Sequence, residues 1–332
     1  MEIGIARPDL TARTTQGYYS QPRQAGDFTA ASKEQSGAED NGLAHKLGTS
    51  SPAPAVTSDQ SYFANAHPYM DEPLTELTER IPDLKTLRPA PDQQELPVIL
   101  ETMGRRVDDF IRSIGDLIAH EDVLQERLNT KGKIEAKERV QDEYLILHHG
   151  YEWGASAEYR MDEKGHRLGP MGLEKGYLVT AGFALNVVSF STVAQSQSRF
   201  RYLGEQKIGS RDAYVLGFAQ QPGQATFVTT MQGTGGTEVD MLTQGILWVD
   251  KNSFQIIRTR TDLLAPNKEI RLDRQITEVT FAEVQLPDVP NPLWLPSHAD
   301  VYLEINEQKF RNVHHYTNYR RYRVSVKIGA PQ

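Results

Sequence analysis

Two histidine doublets are the residues of this chain whose chemistry is most versatile, because imidazole binds metal ions and transfers protons near neutral pH. They are His148-His149 and His314-His315. Neighbouring residues of a strand point to opposite faces, so one doublet cannot place both rings on one metal ion. One ring of each doublet could meet one ring of the other if their strands are neighbours. We expect ordinary surface or edge histidines and no metal site, and we keep a hydrolase that uses a histidine pair as a third hypothesis.

Other short motifs do not point to catalysis. His120-Glu121 is not a zinc-protease motif, because Leu124 stands where the second histidine is needed. Ser156 lies in a stretch that lacks the second glycine of a nucleophile elbow, so we expect it to be an outward polar position of a strand. The sequence Gly233-Thr234-Gly235-Gly236-Thr237 has no following Lys-Ser or Lys-Thr and is interpreted as a hairpin loop.

Acidic pairs such as Glu278 and Glu283 could perform acid-base chemistry, but any wet sheet face carries many carboxylates. Nothing in the sequence singles these two out. The sequence therefore predicts a protein that is not an enzyme and that needs no cofactor.

Composition narrows the class of protein further. The chain has 332 residues, a formal net charge of −8 and no cysteine. The acidic balance disfavours nucleic acid, whose binding depends on clustered Lys and Arg. The absence of cysteine removes disulfides and thiolate sites. No export signal is visible at the N-terminus, and no apolar run reaches the roughly 18 to 20 residues of a transmembrane segment.

Patterning along the chain predicts three regions. Residues 1–70 are polar and without periodicity, which is typical of a disordered tail. Residues 71–92 could form a short helix and a linker, interrupted by Pro82. Residues 93–329 form a single domain, in which apolar residues at helical spacing predict helices near 96–120 and 174–195.

The remainder of the domain is predicted to be β-structure. Gly245 to Arg260 reads as a β-hairpin, because two apolar runs flank the polar turn Asp250-Lys251-Asn252-Ser253. In the strand predicted around residues 269–284, the apolar residues switch from even to odd positions between Ile276 and Val279. An extra residue would keep them on one face, which predicts a β-bulge near Thr277 or Glu278. The fold class is therefore α+β and mainly antiparallel: a strongly curved sheet or half-barrel of eight to eleven strands with covering helices.

Several stretches resemble the lipoprotein-localisation fold, which is shared by the periplasmic lipoprotein carrier and its outer-membrane acceptor. A long amphipathic helix leads into the strands, Gly209 to Leu216 is similar to the family's strand after a small turn, and Gln244 to Arg260 resembles its Trp-Val-Asp hairpin. Uncharacterised bacterial envelope proteins share stretches similar to Arg199 to Gly204 and Thr261 to Pro266. The resemblance covers about residues 95–328 and implies a periplasmic or envelope protein with a lipid or lipoprotein partner; a cytoplasmic location is the alternative.

The leading hypothesis is therefore a non-enzymatic envelope protein that holds an acyl chain or lipoprotein lipid between the sheet and its covering helices. Large apolar residues are the candidate lining: Phe183, Val187, Phe190, Trp248, Phe254 and Phe281. A second hypothesis is an interaction module with a solid core and a protein partner. Basic residues near the C-terminus could contact an anionic surface, or could protect a solvated edge strand: Arg311, Arg320, Arg321, Arg323 and Lys327.

Overall fold

A computed structural model describes most of the chain from residue 66 onward. The described residues are 3–4, 66–148, 156–162, 164–166, 172–174, 176–180, 182–226, 229–232, 238–268, 270–287, 289–322 and 325–326. The chain divides into two units, residues 43–321 and residues 1–42 with 322–332. In the smaller unit β1 (Ile3–Gly4) pairs antiparallel with β17 (Ser325–Val326). Most of the predicted tail lies outside the described residues.

The N-terminal segment of the larger unit is a series of short turns. A 3-10 turn at Tyr69–Asp71 is followed by α1 (Leu74–Arg80), a second 3-10 turn at Pro82–Leu84, and β2 (Arg88–Pro89). α1 ends before Pro82 because proline cannot continue the helical hydrogen bonding. Tyr69 and Met70 are buried, so this ordered segment begins within the range predicted as disordered.

The long amphipathic helix is α2 (Leu96–Ser113), which is shorter than the predicted 96–120. It ends just before Gly115, whose φ of +51° is left-handed and therefore suits a glycine. The apolar residues at 117 and 118 that extended the predicted helix instead begin the strand β3 (Leu117–Leu128).

An antiparallel sheet of eleven described strands dominates the larger unit, in the order β2-β8-β9-β12-β13-β14-β15-β16-β3-β4-β5. Its remaining strands are β4 (Ile134–His148), β5 (Ser156–Met161), β8 (Ser198–Ile208), β9 (Arg211–Gln220), β12 (Thr243–Asp250), β13 (Ile256–Leu263), β14 (Leu272–Val284), β15 (Leu293–Ile305) and β16 (Gln308–Arg321). Within the described residues its two ends, β2 and β5, do not pair with each other. This confirms the predicted mainly antiparallel, curved sheet of eight to eleven strands with helices.

The predicted second helix is wrong. The described residues of 174–195 contain no α-helix. They include part of the hairpin of β6 (Gly172–Glu174) and β7 (Tyr177–Val179), a 3-10 helix at Leu185–Phe190 and the start of another at Gln195–Gln197. Gly176 takes a φ of +82° in the hairpin turn, which an α-helix does not allow. The apolar spacing reflects residues buried in an irregular segment. We call residues 182–197 the cover segment.

The Gly245 to Arg260 hairpin is present as β12 and β13, joined through the turn that starts at Asp250. The Asp250 carboxylate accepts hydrogen bonds from the backbone N–H groups of Asn252 and Ser253, at 3.0 and 2.7 Å. The bulge predicted near Thr277 lies elsewhere. The β14–β15 pairing shifts between Leu272 and Arg274 and again between Thr280 and Phe281. A small hairpin, β10 (Thr229–Gln232) with β11 (Glu238–Met241), completes the strands; the Gly233 to Thr237 loop lies outside the described residues.

Apolar side chains cover both faces of the sheet. On the inner face, strand residues such as Leu216, Leu247 and Val301 pack with α2 and the cover segment in the main core. On the outer face a smaller cluster forms where the N-terminal segment packs its residues Leu77, Ile81 and Leu84 onto β9, β12 and β13. The β12 strand contributes alternate residues to the two clusters, as its period of two requires.

Candidate functional site

The inner face brings most of the predicted apolar candidates together. Phe183, Val187 and Phe190 of the cover segment and Phe281 of β14 are buried in the same cluster. The ring of Phe190 meets that of Phe218 edge-on at a centroid distance of 4.8 Å. The side chains of the cover segment therefore fill the space between this segment and the sheet.

Two predicted candidates are placed differently. Trp248 lies on the outer face, where its indole Nε1–H donates to Gln206 Oε1 at 2.9 Å and the guanidinium of Arg258 stacks on its ring. The structure therefore does not bring Trp248 together with the others. Phe254 is half-buried at the end of the β12–β13 turn, where its ring lies 5.7 Å from that of Tyr214.

The helix α2 and the cover segment, which together form the cover of the inner face, are held to each other by hydrogen bonds. Asp108 of α2 accepts hydrogen bonds from the hydroxyl and the backbone N–H of Thr192, at 2.6 and 3.2 Å. The Gln195 amide donates to the Leu100 carbonyl of α2 at 2.7 Å. Gly104 permits this approach, since a Cβ there would lie 2.6 Å from the Gln195 amide nitrogen.

One carboxylate fastens the cover segment to the sheet. Glu158 of β5 is buried and accepts the backbone N–H groups of Ala184 and Leu185 at the start of the 3-10 helix, at 2.7 and 3.3 Å. The hydroxyl of Tyr144 also donates to it. A side chain at Gly182 would overlap this carboxylate, so the close approach requires glycine.

A second buried polar cluster lies beside it on the inner face and was missed from the sequence. Glu121 of β3 binds the Arg160 guanidinium through two nitrogens and accepts a hydrogen bond from His314 Nδ1 at 2.8 Å. Thr180, after β7, lies 3.1 Å from both His314 Nε2 and Arg160 Nη1. We call Glu121, Arg160, Thr180, His314 and Tyr316 the inner polar cluster; Arg160 reaches the Tyr316 hydroxyl at 3.2 Å.

The protonation of this cluster follows from its geometry. Burial favours the neutral form of Glu121, but Arg160 and the hydrogen bond from His314 outweigh it and hold the pKa of the carboxyl below its usual value. Burial lowers the pKa of His314 despite the adjacent carboxylate, so its ring is neutral. Because Glu121 is an acceptor, the ring proton is on Nδ1 and Nε2 accepts from the Thr180 hydroxyl.

A pocket of about 250 Å³ opens next to the inner polar cluster, between β3, β4, β16 and the β6–β7 hairpin. Arg160, Thr180 and His314 form one wall, and Asn312 is buried beside them. The Asn312 amide donates to the Leu178 carbonyl of the hairpin at 2.7 Å, which fixes its orientation. The inner surface is therefore apolar under α2, whereas several buried polar side chains lie under the hairpin.

The histidine doublets do not converge. His314 lies opposite Val123, which lies opposite Val140 of β4, whereas His148 is eight residues further along β4, about 26 Å away at 3.3 Å per residue. His149 lies outside the described residues. His148 Nδ1 instead lies 2.7 Å from the hydroxyl of Ser156, which is buried and not outward as predicted. In the described part of the chain, no group of three or more histidine and acidic side chains could hold a metal ion.

The C-terminal basic residues are not on an edge strand. β16 pairs with β15 on one side and with β3 on the other, which corrects the solvated-edge interpretation. Arg311 binds Asp300 with Nε at 3.0 Å, Arg320 binds Glu143 at 3.2 Å, and Arg321 donates to the Ser113 carbonyl at 3.1 Å. Arg323 and Lys327 lie outside the described residues.

The acidic residues considered earlier are also engaged. Glu278 binds Arg258 at 2.8 Å and also Arg260, and Glu283 binds Arg211 at 3.2 Å. They form ion pairs with arginines of other strands of the sheet. Among the helices that the structure describes, none has the length and apolarity needed to cross a bilayer.

Comparison with known proteins gives similarity at the level of solved structures. No protein-family model and no curated protein matches the chain. A DUF1329 family protein from Desulfovibrio piger aligns over 68% of this chain and 92% of its own, at 11% identity and a TM-score of 0.39. A LolA superfamily protein from Nitrosomonas europaea aligns over 68% and 94%, at 10% identity and a TM-score of 0.33. The LolA superfamily is the lipoprotein-localisation family that the sequence resembles.

Proposed function

We propose that the protein is a non-enzymatic envelope protein that binds an acyl chain, alone or as part of a lipoprotein, between the inner face of the sheet and its cover. The observation that carries the proposal is the construction of that cover. The apolar inner face is closed by one helix and an irregular segment, and the contacts of Glu158 and Asp108 described above fasten that segment. A cover of this kind can separate from the sheet without disrupting strand pairing.

Burial of the acyl chain sets the scale of the expected affinity. Each methylene removed from water contributes about 0.8 kcal/mol, so ten contribute about 8 kcal/mol, which corresponds to micromolar binding. An acyl chain would replace Phe183, Val187 and Phe190 against the sheet. The free-energy cost of exposing those side chains reduces the net free energy of binding. The sequence resemblance implies the periplasmic setting, where free and protein-linked acyl chains are available.

The first test is native mass spectrometry of the protein purified from its own host, followed by organic extraction and lipid analysis. We expect a stoichiometric acyl-containing lipid to co-purify. Bare protein, together with no thermal stabilisation by fatty acids or lipopeptides, would contradict the proposal.

The second test locates the ligand. In the Phe190→Trp variant, a brominated fatty acid should quench a larger fraction of the fluorescence than in the wild type, whose three native tryptophans supply the background, because heavy-atom quenching requires contact. Tyr69→Trp is the matched control, since it makes a similar change in the buried outer cluster. Equal quenching in both variants would indicate non-specific association and would contradict a site under the cover.

The second candidate is an interaction module with a solid core that binds a protein partner. It is favoured by one observation, the close ring packing of Phe190 with Phe218 and with Phe200, whose centroids lie 4.8 and 6.4 Å away. This candidate predicts that fatty acids leave the thermal midpoint unchanged and that the Phe190→Trp indole stays unquenched. The two tests above therefore separate the candidates.

A further inference from the structure

His298 and His315 form a pair of imidazole rings on the outer face of the sheet. They are directly opposite each other on β15 and β16, with ring centroids 4.7 Å apart and the two Nδ1 atoms 3.3 Å apart. His315 is exposed and His298 is half-buried, so the two nitrogens are accessible from solvent. This pair is remote from the acyl-chain site, which lies on the inner face.

The spacing of the two nitrogens matches that of two ligands on one zinc ion. Imidazole nitrogens bind Zn²⁺ at about 2.0–2.1 Å, and at the tetrahedral angle two such ligands are about 3.3–3.4 Å apart. Both rings present the same atom, Nδ1, toward the space between them. The separation of the two nitrogens is therefore already the one that a single zinc ion requires.

Two features of the sheet preorganise the pair. The β14–β15 register shifts immediately before His298, because Ser297 is an extra residue whose hydroxyl donates to the Thr280 carbonyl at 3.1 Å. Bulges of this kind redirect the following side chain. On the other side, β16 is held between two strands, so the backbone of His315 is fixed by pairing with Asp122 of β3.

The charges around the pair are balanced. Asp122 lies across from His315 and Asp300 follows His298 by two residues on the same strand, and each carboxylate is offset by an arginine, Asp122 by Arg139 and Asp300 by Arg311.

We propose that His298 and His315 bind one Zn²⁺ ion through their Nδ1 atoms, with water completing the coordination. The site is independent of the proposed acyl-chain function. It uses His315, one member of the His314-His315 doublet, but pairs it with His298 and not with the His148-His149 doublet. Its two protein ligands leave coordination positions open to solvent or to a donor group of a second molecule.

The test is isothermal titration of the full chain with ZnCl₂ in a non-coordinating buffer. We expect one saturable site, with affinity at least tenfold weaker in His298→Thr or His315→Thr and no measurable saturation at that site in the double variant. Threonine suits exposed strand positions, so these variants should retain the sheet. His67→Gln is the control, because it removes one exposed histidine elsewhere and should leave the affinity unchanged.

X-ray absorption spectroscopy of the unmodified protein with one equivalent of zinc supplies a measurement that needs no variant. We expect two imidazole nitrogens at about 2.0 Å. Unchanged affinity in the double variant, or a zinc environment with fewer than two imidazoles, would overturn the proposal. Because fatty-acid binding is measured separately, failure of the zinc site and failure of the acyl-chain site are distinguishable.

Discussion

The buried ion pair of Glu121 and Arg160 gives the sharpest test of how the inner polar cluster contributes to stability. In Glu121→Gln, the charge of Arg160 loses its ion pair with Glu121 and stays buried, and the new amide NH₂ faces donors from Arg160 and His314. Breaking a buried pair from one side costs about 3–5 kcal/mol. Since a domain's stability is about 5–15 kcal/mol, the urea midpoint should fall markedly.

The double variant Glu121→Leu with Arg160→Met removes both charges and keeps similar volumes. Its loss should be smaller than that of Glu121→Gln, at most about 2 kcal/mol, because no uncompensated charge remains and only the smaller hydrogen-bonding groups lose partners. Urea unfolding followed by circular dichroism measures the free energies of the wild type, of the single variants Glu121→Leu and Arg160→Met and of the double variant, which together form a double-mutant cycle, and that of Glu121→Gln beside them. A loss below about 1 kcal/mol in Glu121→Gln, or additive losses in the double variant, would refute this reasoning.

Three further outcomes follow from the structure. Gly245→Ala should lower the free energy of unfolding in urea by several kcal/mol, because a Cβ there would overlap the Arg260 backbone carbonyl. Gly217→Ala is the control and should cost little, because its Cβ would lie 3.6 Å from the nearest side-chain atom. Equal losses in the two variants would contradict the steric argument. Trp248→Phe loses the indole hydrogen bond and leaves a void on the outer face, so its thermal midpoint should fall by an amount equivalent to about 1–3 kcal/mol. The pKa of Glu121 is lower in the folded than in the unfolded protein, where it is about 4.3. The stability that Glu121 contributes is therefore present above about pH 4.3 and is lost as the pH falls toward the folded pKa. Between about pH 5 and about pH 3 the wild type should lose more stability than the Glu121→Leu, Arg160→Met double variant.

The strands of the sheet were largely predictable because strands and turns are encoded by short, local sequence patterns. Alternation and turn residues located the β12–β13 hairpin, where Asp250 bonds its own turn. The segment around Phe183 was not predictable in the same way. Its apolar residues have helical spacing because they are buried on several sides, and tertiary packing, not amphipathic periodicity, determines its irregular path.

The inner polar cluster was not predictable from local pattern, because Glu121, Arg160 and His314 are far apart in sequence. Only strand order, with β16 adjacent to β3, brings them together. The pair of His298 and His315 did have a usable signal. Asn306 and Glu307 form a two-residue turn with left-handed φ values of 51° and 63°, and counting outward from that turn places position 298 opposite 315.

The position of β16 between β15 and β3 also has a consequence for how the chain is made. β3 is synthesised long before its partner β16; Glu121 and His314, which meet across this junction, are 193 residues apart. Such long-range pairing is slow and keeps the edge of β3 exposed until β16 has been made. We therefore expect nascent chains that end before residue 308 to remain protease-sensitive and to need protection from aggregation.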